Sequence, residues 1–401
     1  MSDRYDVVIV GGAVIGSAIA YYLTANPDFD GRVLVVERDP TYARSSTALS
    51  FSSIRTQFSN PINVQISQYG LEVIRDFAAM TQVGDNRPDL QFQPGGYLFL
   101  ARDADQVQVM RENHAVQRAC GADVVLWSRD DLAEAFPHLR VEDVALASYG
   151  RSGEGWFDNA AMMAGFRQKA RAQGAEFLTD EVTGISREGD RVTSVKLASG
   201  RVIGAGMLVN ATGPRAAFTA RMAGLTIPVE PRKRTVFVFD CAKSPEGTAR
   251  VNGGRLPLMI DAGGVFSRPE GRYFIAGCPP VQDTAVDYDD FDPRHDEFEE
   301  LVWPALAARS EAFEAIKVVG QWAGHYAFNT LDHNMIVGPS PEVGNFLFAN
   351  GFSGHGLQQA PAVGRGVSEL ILYGGFRTLD LSPLGFERIA QNRPFLERAV
   401  I

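Results

Sequence analysis

Six residues near the start of the chain have the types and spacing to hold a phosphate. Gly11, Gly12, Ala13, Val14, Ile15 and Gly16 follow a near-continuous β-branched run, Tyr5–Val10, and precede apolar residues at helical spacing from Ser17 to Ala25. The N–H groups of such a turn, with the helix N-terminus behind it, offer partial positive charge to a pyrophosphate. Gly11 permits the tight turn, and Gly16 lets the helix close on the sheet. A second buried strand is expected over Arg32–Glu37, and Glu37 lies 21 residues beyond Gly16, near the spacing of a ribose-hydroxyl acceptor. An acid at this place disfavours the 2′-phosphate of NADP; the βαβ unit alone leaves NAD and FAD open. Ala13 stands where the middle glycine of G-x-G-x-x-G is expected, so the backbone approaches phosphate less freely and Gly12 shares the load.

Three later segments tilt the choice towards a flavin. Arg38 follows Glu37, and the loop after it carries Ser45, Ser46 and Thr47, which supply hydroxyls and N–H groups. A hairpin-like stretch from Val182 to Ile203 runs into Met207-Leu-Val-Asn-Ala211-Thr212-Gly213-Pro214. Near the end of the chain, Gly351-Phe352-Ser353-Gly354-His355-Gly356 precedes a helix expected from Leu357 to Leu372. That helix start is a second Gly-rich, anion-ready N-terminus, suited to the negative pyrimidine edge of a reduced flavin.

These pieces together resemble the D-amino-acid oxidase (DAO) superfamily of flavoproteins, which includes sarcosine oxidase and glycine oxidase. The stretch A-L-S-F-S-S-I-R-T-Q-F-S at 48–59 looks most like the branch called FAD-dependent oxidoreductase domain-containing proteins, and P-V-E-P-R-K-R-T-V-F-V-F at 228–239 also recurs among the amino-acid-oxidising members. The resemblance implies an FAD-dependent enzyme that oxidises the C–N bond of an amino acid or secondary amine bearing a carboxylate. Hydride passes to flavin N5, and the imine then hydrolyses. Oxidation of a 2-hydroxy acid on the same fold, or a non-catalytic FAD-containing assembly protein, are the rival readings. Substrate carboxylate calls for an arginine anchor. The resemblance points to Arg55, which follows Ile54 as in sarcosine-oxidase-like relatives, and to Arg234, the last arginine of P-R-K-R. It also places His325, Tyr326 and His355 at the active site.

The monomeric sarcosine oxidases bond FAD through a cysteine where this chain has His325, and residues 40–60 contain no histidine. FAD is therefore expected to be held non-covalently. Gln358 replaces a carboxylate-binding lysine of sarcosine oxidase. The apolar Tyr273-Phe274-Ile275 falls where those oxidases carry a lysine that helps oxygen react, so the acceptor is oxygen or another oxidant.

The elements that must position these residues follow from the resemblance and from a chain of 401 residues, enough for about two domains. The expected fold is α/β, in two domains: a discontinuous Rossmann-like FAD-binding domain (1–85, 150–218 and 328–401) and an inserted substrate domain (86–149 and 219–327) on a mostly antiparallel sheet. Helices are expected at 104–119, 130–136 and 296–310, and the acidic stretch 283–300 as a solvated face or loop. The chain is 45% hydrophobic, which excludes long disorder, and its net charge of −10 disfavours a nucleic-acid partner. The apolar run Val7–Leu23 is short for a membrane span and is broken by glycines. Three separated cysteines, no basic run ahead of an apolar N-terminal segment and no metal-ligand spacing among the histidines make a cytoplasmic protein without a metal the expectation.

Overall fold

The β-branched run that opens the chain forms the strand Arg4–Val10, and burial on both faces suits it to a central position in a parallel sheet. A computed structural model describes residues 3–249 and 251–399; the outer limits of the expected domains, residues 1 and 401, lie outside these. Arg4–Val10 pairs in parallel with Val33–Glu37 on one side and Val202–Asn210 on the other. Glu176–Thr179 extends the sheet beyond Val33–Glu37, while Phe346–Asn350 and then Ile336–Pro339 extend it beyond Val202–Asn210. The expected hairpin is present: Val182–Glu188 pairs antiparallel with Arg191–Leu197, which in turn pairs with Val202–Asn210.

One face of this sheet is covered by the helices Val14–Ala25, Pro61–Thr81, Asn159–Ala172 and Gly356–Tyr373, whose apolar sides share a core with Val7, Ile9, Val33 and Val35. Alternation of side chains across the strands sends Val8, Val10, Leu34 and Val36 to the opposite face, where Ala216, Ala220 and Phe346 pack.

The second sheet runs in the order Ile316–Asn329, Val229–Cys241, Tyr273–Gly277, Phe266–Glu270, Leu258–Ile260, Tyr97–Ala101, Leu146–Gly150, Val124–Trp127. All neighbours are antiparallel except Leu258–Ile260 with Tyr97–Ala101. The α/β class with a Rossmann-like sheet and a mostly antiparallel second sheet is thus present. The long antiparallel pair matters most for function. Its register sets Arg232 opposite Tyr326, Lys233 opposite His325 and Arg234 opposite Gly324.

The helix expected over 296–310 is interrupted. Phe298–Val302 is a π-helical turn, and the regular helix spans Trp303–Arg309. Pro304 explains the break, because it lacks the N–H that would bond the Glu300 carbonyl and so opens the ladder there. The other two expected helices lie at Ala104–Ala119 and Arg129–Ala135. No helix among the described residues is long and apolar enough to cross a membrane.

Candidate functional site

The Gly-rich turn is built as its residue types demand. Gly11 adopts φ +98°, where an added Cβ would lie 2.5 Å from the Ala211 carbonyl oxygen; at Gly16 a Cβ would lie 1.9 Å from the Gly11 carbonyl oxygen. Both positions require glycine, one for conformation and contact and the other for contact alone. Gly12 donates its N–H to Glu37 Oε2 (2.8 Å), and Asp39 donates to Oε1 (2.9 Å), so the acid at the strand end is fixed beside the turn. Thr47 closes the loop over it, its hydroxyl accepting from the Val14 N–H at 3.3 Å.

This turn opens on a cavity of about 570 Å3, within the range of ligand sites. Its lining includes Glu37, Arg38 and Val182, together with Gly11, Ala13, Val14, Ile15, Ser45, Ser46, Thr47, Ala211, Thr212 and Gly213. Phe352, Gly354, Gly356 and Leu357 line it too, with Arg234, His325 and Tyr326, which the strand pair Val229–Cys241 and Ile316–Asn329 brings together. The opening turn and the late Gly-rich loop therefore meet on one space. Neither helix that starts there, Val14–Ala25 or Gly356–Tyr373, has a side-chain cap or an acid in its first turn. Two helix N-termini without first-turn acids or N-cap side-chain bonds, on one cavity with Glu37 in its wall, suit a dinucleotide with an anionic diphosphate and an electron-rich ring edge. FAD fits this donor set.

Several of the expected residues stand behind the wall. Gly12 faces Val35, Glu37 and Tyr42, and Gly16 packs on Gly11 and Ile9. Gly351 has φ +70° with Val229 and Asn329 beside it, and the buried Ser353 hydroxyl accepts from the Asn329 N–H at 3.0 Å. His355 is buried too, and its ring meets Phe58 edge to face. Arg55 is also off the cavity surface, 1% exposed. It donates to the carbonyls of Gln57 and Ala399 and, at 3.0 Å, to His355 Nε2. Burial pushes the His355 pKa well below the usual imidazole range, and the charge on Arg55 pushes it the same way. His355 is therefore a neutral acceptor at Nε2, with its proton on Nδ1.

Tyr326 lies within reach of the charges of both arginines. Arg234 lies over its ring at 4.9 Å. Burial raises the phenol pKa, while the charges of Arg234 and then Arg55 pull against that rise. The phenol stays protonated at neutral pH and can donate a hydrogen bond into the cavity. His325 is neutral as well, since burial lowers its pKa; its Nε2–H donates to the Asp290 carbonyl at 2.6 Å. The rest of this end is apolar, with Phe51, Val236 and Phe266 on the wall and the rings of Phe51 and Phe266 4.8 Å apart.

The acidic stretch expected to be solvated is instead strapped across the cavity. Asp283 accepts two hydrogen bonds from Arg234 (2.7 and 2.8 Å), and Asp290 takes both oxygens to Lys233 Nζ at 2.8 Å. Asp289 approaches Arg38 and Arg44 at 3.8 and 4.0 Å. Beside these anchors Phe291 stacks on His325 at 4.2 Å, and Arg215 lies 5.1 Å over Tyr288. Tyr288 and Phe291 both line the cavity. The carboxylates bond because the basic island Arg232–Arg234 is inward rather than solvated, with Lys233 and Arg234 buried.

Arg44, Arg215, Phe51, Tyr288 and Phe291 are wall residues that the motifs did not single out. Arg44 and Arg215 sit directly beside Ser45 and Pro214, so adjacency to the motifs could have found them. The two strap aromatics carried no signal.

The family described as FAD dependent oxidoreductase (DAO) matches residues 6–370. The FAD-dependent oxidoreductase domain-containing protein 1 of Xenopus laevis is 42% identical over 433 aligned residues, covering 100% of this chain and 85% of that protein. The crystal structure of L-proline dehydrogenase from P. horikoshii superposes with a TM-score of 0.84 at 27% identity, covering 98% of this chain and 100% of the other. Glycine oxidase from Geobacillus kaustophilus, at 21% identity and a TM-score of 0.79 over 96% and 98% of the two chains, shares the fold.

Proposed function

Because the chain belongs to the DAO family of FAD-dependent oxidoreductases, we propose that it oxidises the C–N bond of an amino acid or secondary amine that carries a carboxylate. Bound FAD supplies the hydride acceptor, at flavin N5. The chain's own residues do the rest. The first helix and the turn Gly11–Gly16 hold the diphosphate, Glu37 the ribose, and the N-terminus of Gly356–Tyr373 the pyrimidine edge. The flavin is held non-covalently; Cys120, Cys241 and Cys278 all lie off the wall. Arg234 on the wall and Arg55 behind it attract the substrate carboxylate. Tyr326 donates a hydrogen bond between them, and Phe51, Val236 and Phe266 exclude water from the reacting carbon.

One observation carries this reading. Arg55 is only 1% exposed, and its bonded acceptors among the described residues are neutral: two carbonyls and an unprotonated imidazole nitrogen. Desolvating a guanidinium without a carboxylate on it is costly. A ligand carboxylate at the cavity end recovers part of that cost. The likeness to an L-proline dehydrogenase supports an amino-acid substrate.

The test is anaerobic. The holoprotein is mixed with D-, L- and N-substituted amino acids and, in parallel, with 2-hydroxy acids, and flavin absorbance is followed. Bleaching by a carboxylate-bearing amine and not by its hydroxy analogue is expected. Bleaching by the hydroxy acids alone makes the enzyme a 2-hydroxy-acid dehydrogenase. Bleaching by neither class refutes the substrate assignment.

A further inference from the structure

Arg55 belongs to a loop whose flanks rest on two buried carboxylates, and the two are anchored in the same way. Glu154, 1% exposed, accepts from the Thr56 N–H and hydroxyl at Oε1 (both 2.7 Å) and from Gln57 Nε2 at Oε2 (2.9 Å). Glu397, 0% exposed, accepts at Oε1 from the Ser59 N–H (2.8 Å), the Ser59 hydroxyl (2.6 Å) and the Ala399 N–H (2.9 Å), and at Oε2 from Asn60 (3.2 Å) and Asn63 (2.8 Å). Every hydrogen bond to either carboxylate comes from a donor; at Glu154 burial pushes the pKa up, and the bonds from Gln57 and Thr56 with the charge of Arg55 pull against that rise. Neither makes an ion pair with Arg55. Each instead fixes a residue that lends Arg55 a carbonyl: Glu154 holds the Gln57 side chain, Glu397 holds the Ala399 N–H, and Arg55 donates to the carbonyls of Gln57 and Ala399.

The approach of Glu154 is built into the backbone. A Cβ at position 150 would lie 1.9 Å from Glu154 Oε2, so Gly150 makes room for the carboxylate. The neighbouring Gly155 pairs with Ile54, which precedes Arg55, and the Arg55 N–H is tied to Gln358 Oε1 at 2.9 Å.

We propose that Glu154 and Glu397 are positioning residues for Arg55: they clamp the loop from both flanks, supply negative charge nearby, and leave the guanidinium bonded, among the described residues, only to neutral acceptors. The arrangement keeps a buried positive charge uncommitted behind Tyr326 and His355, where it selects ligands by their carboxylate. A direct Glu–Arg55 pair would cancel that charge; the absence of both acids would leave it too costly to bury. This inference rests on the proposed role of Arg55 in attracting a carboxylate.

Cyclopentanecarboxylate and cyclopentanecarboxamide are the test probes, since neither has an oxidisable C–N bond on the ring. Each is titrated against the flavin absorbance of the holoprotein of the wild type, Glu154→Gln and Glu397→Gln. The wild type is expected to prefer the carboxylate. Either variant should weaken carboxylate binding at least tenfold and carboxamide binding less than twofold, with FAD content unchanged. Carboxylate affinity within twofold of wild type overturns the clamp, as does equal weakening of both probes, which marks a merely structural role. A wild type that does not prefer the carboxylate refutes the carboxylate reading itself, and the clamp falls with it. Should a glutamine variant fail to hold FAD, Thr56→Val and Ser59→Ala, which loosen the same anchors one bond at a time, are judged by the same criteria.

Discussion

Replacing Asp290 by asparagine tests whether the strap over the cavity retains the cofactor. Asp290 takes both oxygens to Lys233 Nζ at 2.8 Å, and the lysine side chain is 8% exposed. Removing one partner of a buried pair costs about 3–5 kcal/mol, because the other charge is left uncompensated. Asp290 is itself 36% exposed, so water reaches the lysine once the pair is broken, and a discounted cost of about 1–3 kcal/mol is the better expectation. The strap stays anchored at Asp283 by Arg234, so the loss falls on the segment carrying Phe291 and its stack on His325. If that cost is borne by the closed strap, FAD should leave roughly five- to 150-fold faster, at about 1.4 kcal/mol per decade. The assay is the recovery of flavin fluorescence after high dilution of the holoprotein, well below the unfolding temperature of both proteins. Added salt should also speed release from the wild type, because Asp289 meets Arg38 and Arg44 at an exposed surface. A release rate for Asp290→Asn within twofold of wild type refutes the idea that the strap holds the flavin in.

The cradle makes a sharper prediction. Gly16→Ala puts a methyl 1.9 Å from the Gly11 carbonyl oxygen, so the purified variant should be colourless; a yellow protein with full flavin content contradicts the assignment of the turn. Arg234→Ala removes a charge-assisted contact of about 1.5–3 kcal/mol and should raise KM tenfold or more for a carboxylate substrate; unchanged kinetics remove Arg234 from the site. The strap should fail in acid. Lys233 holds the Asp290 pKa low, and at Asp283 burial pushes the pKa up but the bonds and charge of Arg234 outweigh it. Folded pKa values below the unfolded carboxylate value of about 3.9 give stabilisation that is complete well above that pH and is lost as pH falls through the folded values. FAD release should therefore be flat near neutrality and accelerate below about pH 4, and less so in Asp290→Asn. Reoxidation of the reduced protein by oxygen is expected to be slow, since no lysine among the described residues lines the cavity; stopped-flow mixing with aerated buffer measures it.

What could be read from the chain was what depends on neighbours in sequence. The strand, the turn, the helix start and Glu37 lie within one βαβ unit, and each residue type there answers to the geometry of its own few neighbours. The late loop was legible for the same reason, as glycines ahead of a helix. The surroundings of Arg55 are the opposite case. Its bonded partners come from positions 57, 355, 358 and 399, and the acids that anchor them from 154 and 397. A buried glutamate has no pattern of its own: G-E-G at 153–155 and L-E-R at 396–398 read as ordinary surface loops. The acidic stretch 283–300 misled for a related reason. Charged residues in a strand are usually solvated, and only the pairing of Val229–Cys241 with Ile316–Asn329, followed by the return of the acidic stretch over both, turns Lys233 and Arg234 inward.

That contrast separates two kinds of constraint in the site. The cofactor end is held mainly by backbone, where glycine is required and substitution fails through steric contact. The substrate end is held by charges that the fold buries and then balances at a distance, with Arg234 committed to Asp283 and Arg55 committed to no acid among the described residues. Of the two, Arg55 has the charge less neutralised by an acid, and it acts on a ligand carboxylate from behind the wall. Arg234 must share or surrender Asp283 first. Arg55→Lys keeps the charge but loses the planar fork that reaches Gln57, Ala399 and His355 together, so it should weaken a carboxylate ligand much as a glutamine at Glu154 does. Charge-conserving Arg234→Lys should be the milder change. The opposite ranking, measured as KM for one carboxylate-bearing amine, assigns the anchor to Arg234 and leaves Arg55 as a support for the loop.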